Sequence, residues 1–363
     1  MDLRRIINYF DWTLLGLTLA ISIIGILAIY SSTHYINNEF YVKQVIWIII
    51  SLISVFLIVS IDYNYLINYS SYFYFFMIMV LAIMLLLGNK IGSSKSWLNL
   101  GLFSIQPSEL TKIAIILFLI YILSRSRWDY ISWKDKLASS LVVFFPLLLV
   151  ALQPDLGTAM TYLPIYLGAL FITGIDRKIL AISLIILILL GAFGWFFLLK
   201  DYQKQRIIVF LFPGKDPLKS GYHVIQSKIA IGSGGFLGKG YKKGTQSQLR
   251  FLPARHTDFI LSVIGEEFGY IGIFVLLSLY FMLFYKIFNS IKEAKDRTGI
   301  YLIYFIGVLL FFQFFVNGMM VIGFFPVAGV PMPLLSYGGS SLLTTYICIG
   351  LIINVKMRKF IYG

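Results

Sequence analysis

The sequence predicts an all-α integral membrane protein with about ten transmembrane helices. Three observations carry that reading. Of 363 residues, 59% are hydrophobic and only 13% are charged, about half the charged share of an ordinary soluble domain. The mean hydropathy is +0.86. Apolar runs long enough to cross a bilayer recur along the whole chain, and Lys and Arg gather in alternate loops between them. Length alone would suit roughly two soluble domains, but here the bilayer sets the architecture, so residues 1–363 are read as one transmembrane domain.

In order, the predicted spans are Trp12–Tyr30, Val42–Ile61, Ser71–Leu87, Leu110–Leu123, Leu137–Leu152, Thr158–Ile172, Ile179–Leu199, Phe268–Tyr285, Ile300–Phe324 and Leu342–Ile353. The first is too long for the apolar core of a signal peptide and lacks a small-residue cleavage site, so it is read as a retained span. The runs beginning at Thr158 and Leu342 are short, which favours little tilt or local thinning of the bilayer. An even number of spans puts both ends on one side. Arg4, Arg5, Arg125, Arg127, Lys134, Lys136, Arg177, Lys178, Lys286, Lys292, Lys295, Arg297, Lys356, Arg358 and Lys359 fall in one set of ends and loops. The short loops of the other set carry little beyond Lys43, Lys90 and Lys95. The termini are therefore expected in the cytoplasm. The long basic stretch 200–260, between helices 7 and 8, is then a large extracytoplasmic loop, because long loops largely escape the charge rule.

Trp12, Trp47, Trp128, Trp133 and Trp195 fall at predicted interfaces, as an aromatic belt does. The single cysteine, Cys348, lies in an apolar run and excludes an intrachain disulfide. The net charge of +14 is assigned to topology and anionic lipid. No basic stripe with interleaved aromatics stands out, so no nucleic-acid partner is expected. The sequence shows neither a fixed-period repeat nor the matching broken helices of an inverted-repeat transporter.

Charges beside apolar spans are costly, and that makes them functional candidates. Ser104-Ile-Gln-Pro-Ser-Glu109-Leu-Thr-Lys112 starts a helix, with Pro107 in its first turn and Glu109 at the positive end of its dipole. Glu109 and Lys112 share a face and can pair, either as a structural tie or within a site. Asp155, in Gln153-Pro-Asp-Leu-Gly-Thr158, either caps the next helix through the Gly157 or Thr158 amide or lines a polar cavity. Inside the long loop stand Arg206 and the amphipathic segment 221–231, which contains Gln226 and suits a membrane surface. Gly232-Ser-Gly-Gly-Phe-Leu-Gly-Lys239-Gly240 fails the phosphate-loop pattern, so its glycines are expected to admit close backbone approach. Arg255-His256-Thr257-Asp258 is the sharpest cluster. A carboxylate beside two potential cations can stay ionised and accept a proton; the alternative is that Asp258 caps the helix beginning near Phe259, with Glu266 and Glu267 as ordinary polar residues. The stretch 325–341, with three prolines and a Gly pair, is irregular backbone of the kind tolerated near a membrane when buried or lining a wet cavity.

Taken together, Gln106-Pro-Ser-Glu109, Gln153-Pro-Asp-Leu-Gly-Thr158, the Asp216-Pro217 region, His256-Thr-Asp-Phe-Ile260 with Gly265-Glu-Glu, and Pro331-Met-Pro-Leu-Leu-Ser-Tyr-Gly-Gly-Ser-Ser341 resemble the SEDS family of bacterial membrane proteins (shape, elongation, division, sporulation). The match covers nearly the whole chain. Gly221-Tyr-His-Val-Ile-Gln-Ser227, Gly232-Ser-Gly-Gly and Gly244-Thr-Gln-Ser-Gln-Leu249 are similar to its elongation branch. The resemblance implies a peptidoglycan glycosyltransferase that polymerises lipid II on the outer face of the bacterial cytoplasmic membrane. It also implies a class B penicillin-binding protein and other elongation-complex membrane proteins as partners. The family's essential acid falls on Asp258, its Glu/Lys pair on Glu109 and Lys112, and its cavity Asp on Asp155. Ala254 stands where relatives often carry an acid.

Such an enzyme needs a base for the acceptor hydroxyl and positive charge for the departing pyrophosphate. Asp258 is the expected base. Arg206, Lys239, Arg255 or a divalent Mg or Mn ion is the expected counter-charge, the ion being an expectation of the family with its site unknown. Gln226, His256, Thr257, Ser336, Tyr337 and Ser340 are expected to bind substrate or wall the cavity. Two rival readings are a flippase for the lipid-linked precursor and a scaffold without catalysis. The candidate acids lie at helix ends rather than midway along spans, which favours surface chemistry over transport.

Overall fold

The computed structural model describes residues 9–34, 39–87, 89–91, 94–99, 101, 104–125, 132–172, 174, 181–182, 185, 188–189, 191–192, 194–212 and 221–361. It is almost entirely helical. In chain order the helices are α1 (Trp12–Thr33), α2 (Glu39–Ser60), α3 (Tyr63–Asn68), α4 (Ser70–Leu87), α5 (Pro107–Arg125), α6 (Trp133–Leu152), α7 (Leu156–Met160), α8 (Leu163–Ile172), α9 (Asp201–Leu211), α10 (Tyr222–Gly234), α11 (Thr245–Gln248), α12 (Ile260–Asn289), α13 (Arg297–Val321) and α14 (Gly339–Ile361). Among the described residues, seven helices are long and apolar enough to cross a membrane, and Ser70–Leu86 and Leu156–Ile172 are shorter apolar helices. The expected span Ile179–Leu199 is described only in part, and the Asp216-Pro217 region lies outside the described residues.

Helix ends follow the local chemistry. Asp11 caps α1 by accepting from the Leu14 amide (3.0 Å), and Asp296 caps α13 through the Gly299 amide (2.7 Å). Pro107 opens α5, where a missing N–H does no harm. The span expected as Thr158–Ile172 is two short helices separated by a turn at Thr161 and Tyr162, just before Pro164. The segment between α4 and α5 is not plain loop. It forms a small antiparallel sheet, β1 (Asn89–Ile91), β2 (Ser94–Asn99) and β3 (Ser104–Ile105), with Asn89 opposite Trp97 and Leu98 opposite Ile105. Its strands are too short to stand out by alternation in a sequence dominated by long apolar runs.

Most residues of α5 and α14 are buried, so these two helices form the centre; α2 packs along α14, and α4 and α6 flank α5. At one face Asp11 accepts a charged hydrogen bond from Lys356, which also lies 3.1 Å from Glu293, while Lys286 lies 3.6 Å from Asp11. Arg358 and Asp62 approach to 3.7 Å beside them. The start of α1 and the end of α14 therefore share a face.

Among the described residues of the stretch expected as a polar loop stand the helices α9, α10 and α11, with turns following α10 and α11. α10 packs against the first part of α12, which starts at Ile260, well before the expected Phe268, and breaks at Gly269 (φ 66°, ψ −161°). There the glycine-rich segment crosses it backbone to backbone. The Lys239 and Gly240 amides donate to the Glu266 and Glu267 carbonyls (3.0 Å each), and the Tyr270 amide donates to the Gly235 carbonyl (2.9 Å). A Cβ at Gly238 would meet the Glu267 carbonyl oxygen at 2.1 Å. The glycines thus admit a helix rather than a phosphate.

Candidate active site

On the face away from the Asp11–Lys356 cluster, a cavity of ≈ 460 Å³ opens among α2, the small sheet, the turn before α12 and the start of α14. Asp258, His256, Thr257, Gln106, Tyr337 and Ser341 line it, with Lys43, Trp47, Trp97 and Asn99 on its other walls.

The backbone on which Asp258 sits is pinned at three successive carbonyls. The His256 carbonyl accepts from the Tyr337 amide (2.9 Å). The Thr257 carbonyl accepts from the Ser336 hydroxyl (2.6 Å). The Asp258 carbonyl accepts from Asn317 Nδ2 (3.0 Å), which also donates to the Val330 carbonyl (2.8 Å). The two motifs centred on Asp258 and Tyr337 are thus one structure, and Ser336 serves its backbone rather than a ligand. Ala254, at φ 49°, accepts from the Thr257 and Phe259 amides and closes the turn. The residue at the N-cap position of α12 is Phe259, with no side-chain cap bond, so Asp258 is not spent on capping.

Its environment is unlike the one expected from the sequence. Arg255 turns inward and donates through Nε to the Ser32 carbonyl at the end of α1 (2.7 Å). His256 packs against Phe40 and Tyr337, at ring-centroid distances of 4.7 and 5.7 Å. Burial first, and Arg255 second, bring its pKa down to about 4, so it is neutral at physiological pH. Neither neighbour acts as the expected cation. Burial pushes Asp258 up to about 6, while the charge of Arg206 and a hydrogen bond from Thr257 hold it down.

A second cavity of ≈ 260 Å³ adjoins the first, lined by Asp155, Gly157, Gln203, Arg206 and residues 326–329. Gly329 lines both. Asp155 meets both expectations: it caps α7 through the Thr158 amide (3.2 Å), and its other oxygen accepts from Gln106 (2.5 Å) and the Thr158 hydroxyl (3.1 Å). Arg206 donates to the Val327 carbonyl (3.2 Å), and both line this second cavity.

Other expected site residues lie elsewhere. Lys239 is 2.8 Å from Glu266, which also accepts from the Gln246 and Ser247 amides (2.8 and 3.0 Å) and so anchors α11. Lys239 and Arg255 are thus committed to the scaffold and do not face Asp258. Glu266 and Glu267, ordinary polar residues in the reading where Asp258 caps the helix, are both buried, and Glu267 accepts from Ser31. Glu109 and Lys112 form a buried pair at 2.7 Å and line none of the cavities described here. Ser340 accepts from the Gln106 amide (2.9 Å), and Gln226 sits half-buried on α10 away from both cavities. Lys43, Trp47 and Trp97 were not expected. A signal for Lys43 existed, since it falls inside the apolar run that opens at Val42.

Among the described residues no group of three or more His, Cys, Asp and Glu side chains could hold a metal ion. Asp258 is the one carboxylate among the described residues that line its cavity, so a divalent ion there would need phosphate oxygens of a ligand as further donors.

These features define a multi-pass membrane protein whose polar cavity, at one end of the helix bundle, is organised around a single acid. The model of the cell cycle protein family that takes in FtsW, RodA and SpoVE matches residues 5–360, and the chain belongs to that family. The peptidoglycan glycosyltransferase MrdB of Escherichia coli K12 is 40% identical over 292 residues, 80% of this chain and 79% of its own. The peptidoglycan glycosyltransferase RodA of Treponema pallidum is 33% identical, with 98% of this chain and 99% of its own covered. A solved chain from a peptidoglycan synthase complex that coordinates polymerization and crosslinking shares 29% identity and superposes with a TM-score of 0.81 over 97% of this chain and 98% of that one.

Proposed function

We propose that this chain is a peptidoglycan glycosyltransferase that polymerises lipid II into β-1,4-linked glycan strands, with Asp258 as the general base. The observation that carries the assignment of Asp258 is its state. It faces a cavity, caps no helix, and its pKa of about 6 lies just below physiological pH, where a base is both ionised and responsive.

In the reaction, Asp258 takes the proton of the acceptor GlcNAc 4-hydroxyl as that oxygen attacks the donor anomeric carbon. The new carbon–oxygen bond forms as the bond to the pyrophosphate breaks, and the polyprenyl pyrophosphate leaves with the electron pair. Attack opposite the leaving group inverts the donor from α to β, by the logic of inverting glycosidases. Arg206, across Gly329 from Asp258, faces the departing charge. A Mg or Mn ion, were one held at Asp258, would supply further counter-charge to the pyrophosphate.

The site is read as facing outward from the bacterial cytoplasmic membrane, with a class B penicillin-binding protein and other elongation-complex proteins as partners. Purified protein with lipid II in detergent tests the reading. Polymer from wild type and none from Asp258→Ala is the expected result. Lipid movement across vesicles without any polymer, even with the partner present, would establish the flippase instead.

A further inference from the structure

We infer that Lys43 binds the pyrophosphate of the acceptor lipid while Arg206 takes that of the donor, so that the two substrates reach Asp258 through different cavities. This rests on the glycosyltransferase reading above. Polymerisation brings two pyrophosphates to one site, and the bond made fixes where each must lie. The donor's is attached to the reacting carbon and must sit close to the base. The acceptor's lies at the far end of a disaccharide whose other end carries the attacking hydroxyl.

Of the three cations expected to meet pyrophosphate, Lys239 and Arg255 line neither cavity and reach instead to Glu266 and the Ser32 carbonyl, whereas Arg206 lines the second cavity. Arg206 holds the Val327 carbonyl, and Gly329, two residues on, lies against Asp258: a Cβ there would stand 3.9 Å from Asp258 Oδ2. That is the position a leaving group requires. Lys43 lines Asp258's own cavity from α2 and is the one Lys or Arg among its described lining residues. Trp47, one turn along α2 on the same face, and Trp97 line the same cavity. Trp97, partly exposed, offers a flat apolar ring of the kind that sugar faces lie on, while Trp47, buried against Gly339, backs the wall.

Lys43 is also available. Its partner Glu39, at 2.8 Å, forms an exposed pair, with side chains 42% and 61% accessible. Such a pair is weak and screened by water, so a phosphate group displaces it readily and gains charge-assisted hydrogen bonds in return.

The test uses a lipid-linked glycan donor whose terminal 4-hydroxyl is blocked, and two acceptors: lipid II, and the same disaccharide-peptide carrying an uncharged alkyl group in place of the polyprenyl pyrophosphate. With lipid II, Lys43→Ala is expected to raise the acceptor KM roughly tenfold or more, with Lys43→Arg restoring most of it. With the uncharged acceptor the gap between wild type and Lys43→Ala should close, whereas the deficit of Arg206→Ala should be the same with both acceptors. Melting temperatures check that the variants are folded. A Lys43→Ala deficit that persists with the uncharged acceptor, or no deficit with lipid II, would overturn the assignment. Failure of wild type to extend either acceptor would instead sink the glycosyltransferase reading, and this inference with it.

Discussion

Asp258 stands just before, and Glu266 within, the half-helix that opens α12, and the fold treats them in opposite ways. Glu266 is fully buried and accepts hydrogen bonds from Lys239, Thr245 and the Gln246 and Ser247 amides. Asp258 has no ion-pair partner among the described residues, and its side chain faces a cavity. A carboxylate with every lone pair engaged is structure, because moving a proton to it would break several bonds at once. A carboxylate that is desolvated but under-compensated is poised for proton transfer. Glu109, locked to Lys112, belongs with Glu266. The comparison divides the acids of this region into those that hold the bundle and the one that is left to react.

The strongest attempt to break that division is Asp258→Asn. It should lower the polymerisation rate by about a thousandfold, within the range usual for loss of a general base, without lowering stability. The sign follows from the shift. The folded-state pKa, about 6, lies above the ordinary 3.8. The folded protein therefore holds the proton more tightly, and stability falls as pH rises from about 4 to 6. Asn removes that penalty, so the variant should melt at the same temperature as wild type or higher at neutral pH. A lower melting point would move Asp258 into the structural group.

Lys112→Met tests the other side. Removing one member of a buried pair strands its partner's charge, at a cost of about 3–5 kcal/mol. Melting in detergent should drop sharply and activity should fall with it. Adding Glu109→Gln should recover most of the stability, since no uncompensated charge remains. Recovery of stability without activity would give the pair a further role in the reaction.

Much of this was legible from residue order. Apolar runs fixed most spans to within a few residues because a bilayer demands that length. The motifs around Asp258 and Tyr337 were visible as polar breaks in apolar sequence. What could not be read was direction. Arg255 and His256 flank Asp258 in the chain, yet one reaches back to Ser32 and the other is stacked against Phe40, because a tight turn at Ala254 sends adjacent side chains different ways. The half-helix from Ile260 to Gly269 was also hidden, since its burial depends on the crossing by the distant glycine segment at Gly238. Lys43 was read as a loop charge because spacing along a sequence gives no measure of which helix face meets a cavity.

Arg206→Gln probes the electrostatic link between the two cavities. Arg206 holds the pKa of Asp258 down, so its loss should move the ascending limb of the pH–rate profile to higher pH. In wild type that limb should rise through about 6 and show no second ionisation from His256, which titrates near 4. A limb that stays in place in Arg206→Gln would mean that Arg206 does not act on Asp258 at all.

The smallest expected effect comes from Gly329→Ala, and it is informative against Gly238→Ala. Both glycines have positive φ, 72° and 80°, so an alanine at either carries similar backbone strain, about 1–2 kcal/mol. They differ in what the new methyl meets. At Gly238 it would lie 2.1 Å from the Glu267 carbonyl oxygen, backbone that cannot yield without undoing the crossing. At Gly329 its nearest contact is Asp258 Oδ2 at 3.9 Å, an ordinary distance across an open wall. Gly329→Ala should therefore cost only the strain and leave the protein folded. Because the methyl takes water-accessible space beside the acid, it should add to the desolvation of Asp258 and move the ascending limb upward, the direction expected for Arg206→Gln. A large loss of stability at Gly329, comparable to that at Gly238, would show that the wall between the cavities is packed as tightly as the scaffold and leaves no room for a leaving group.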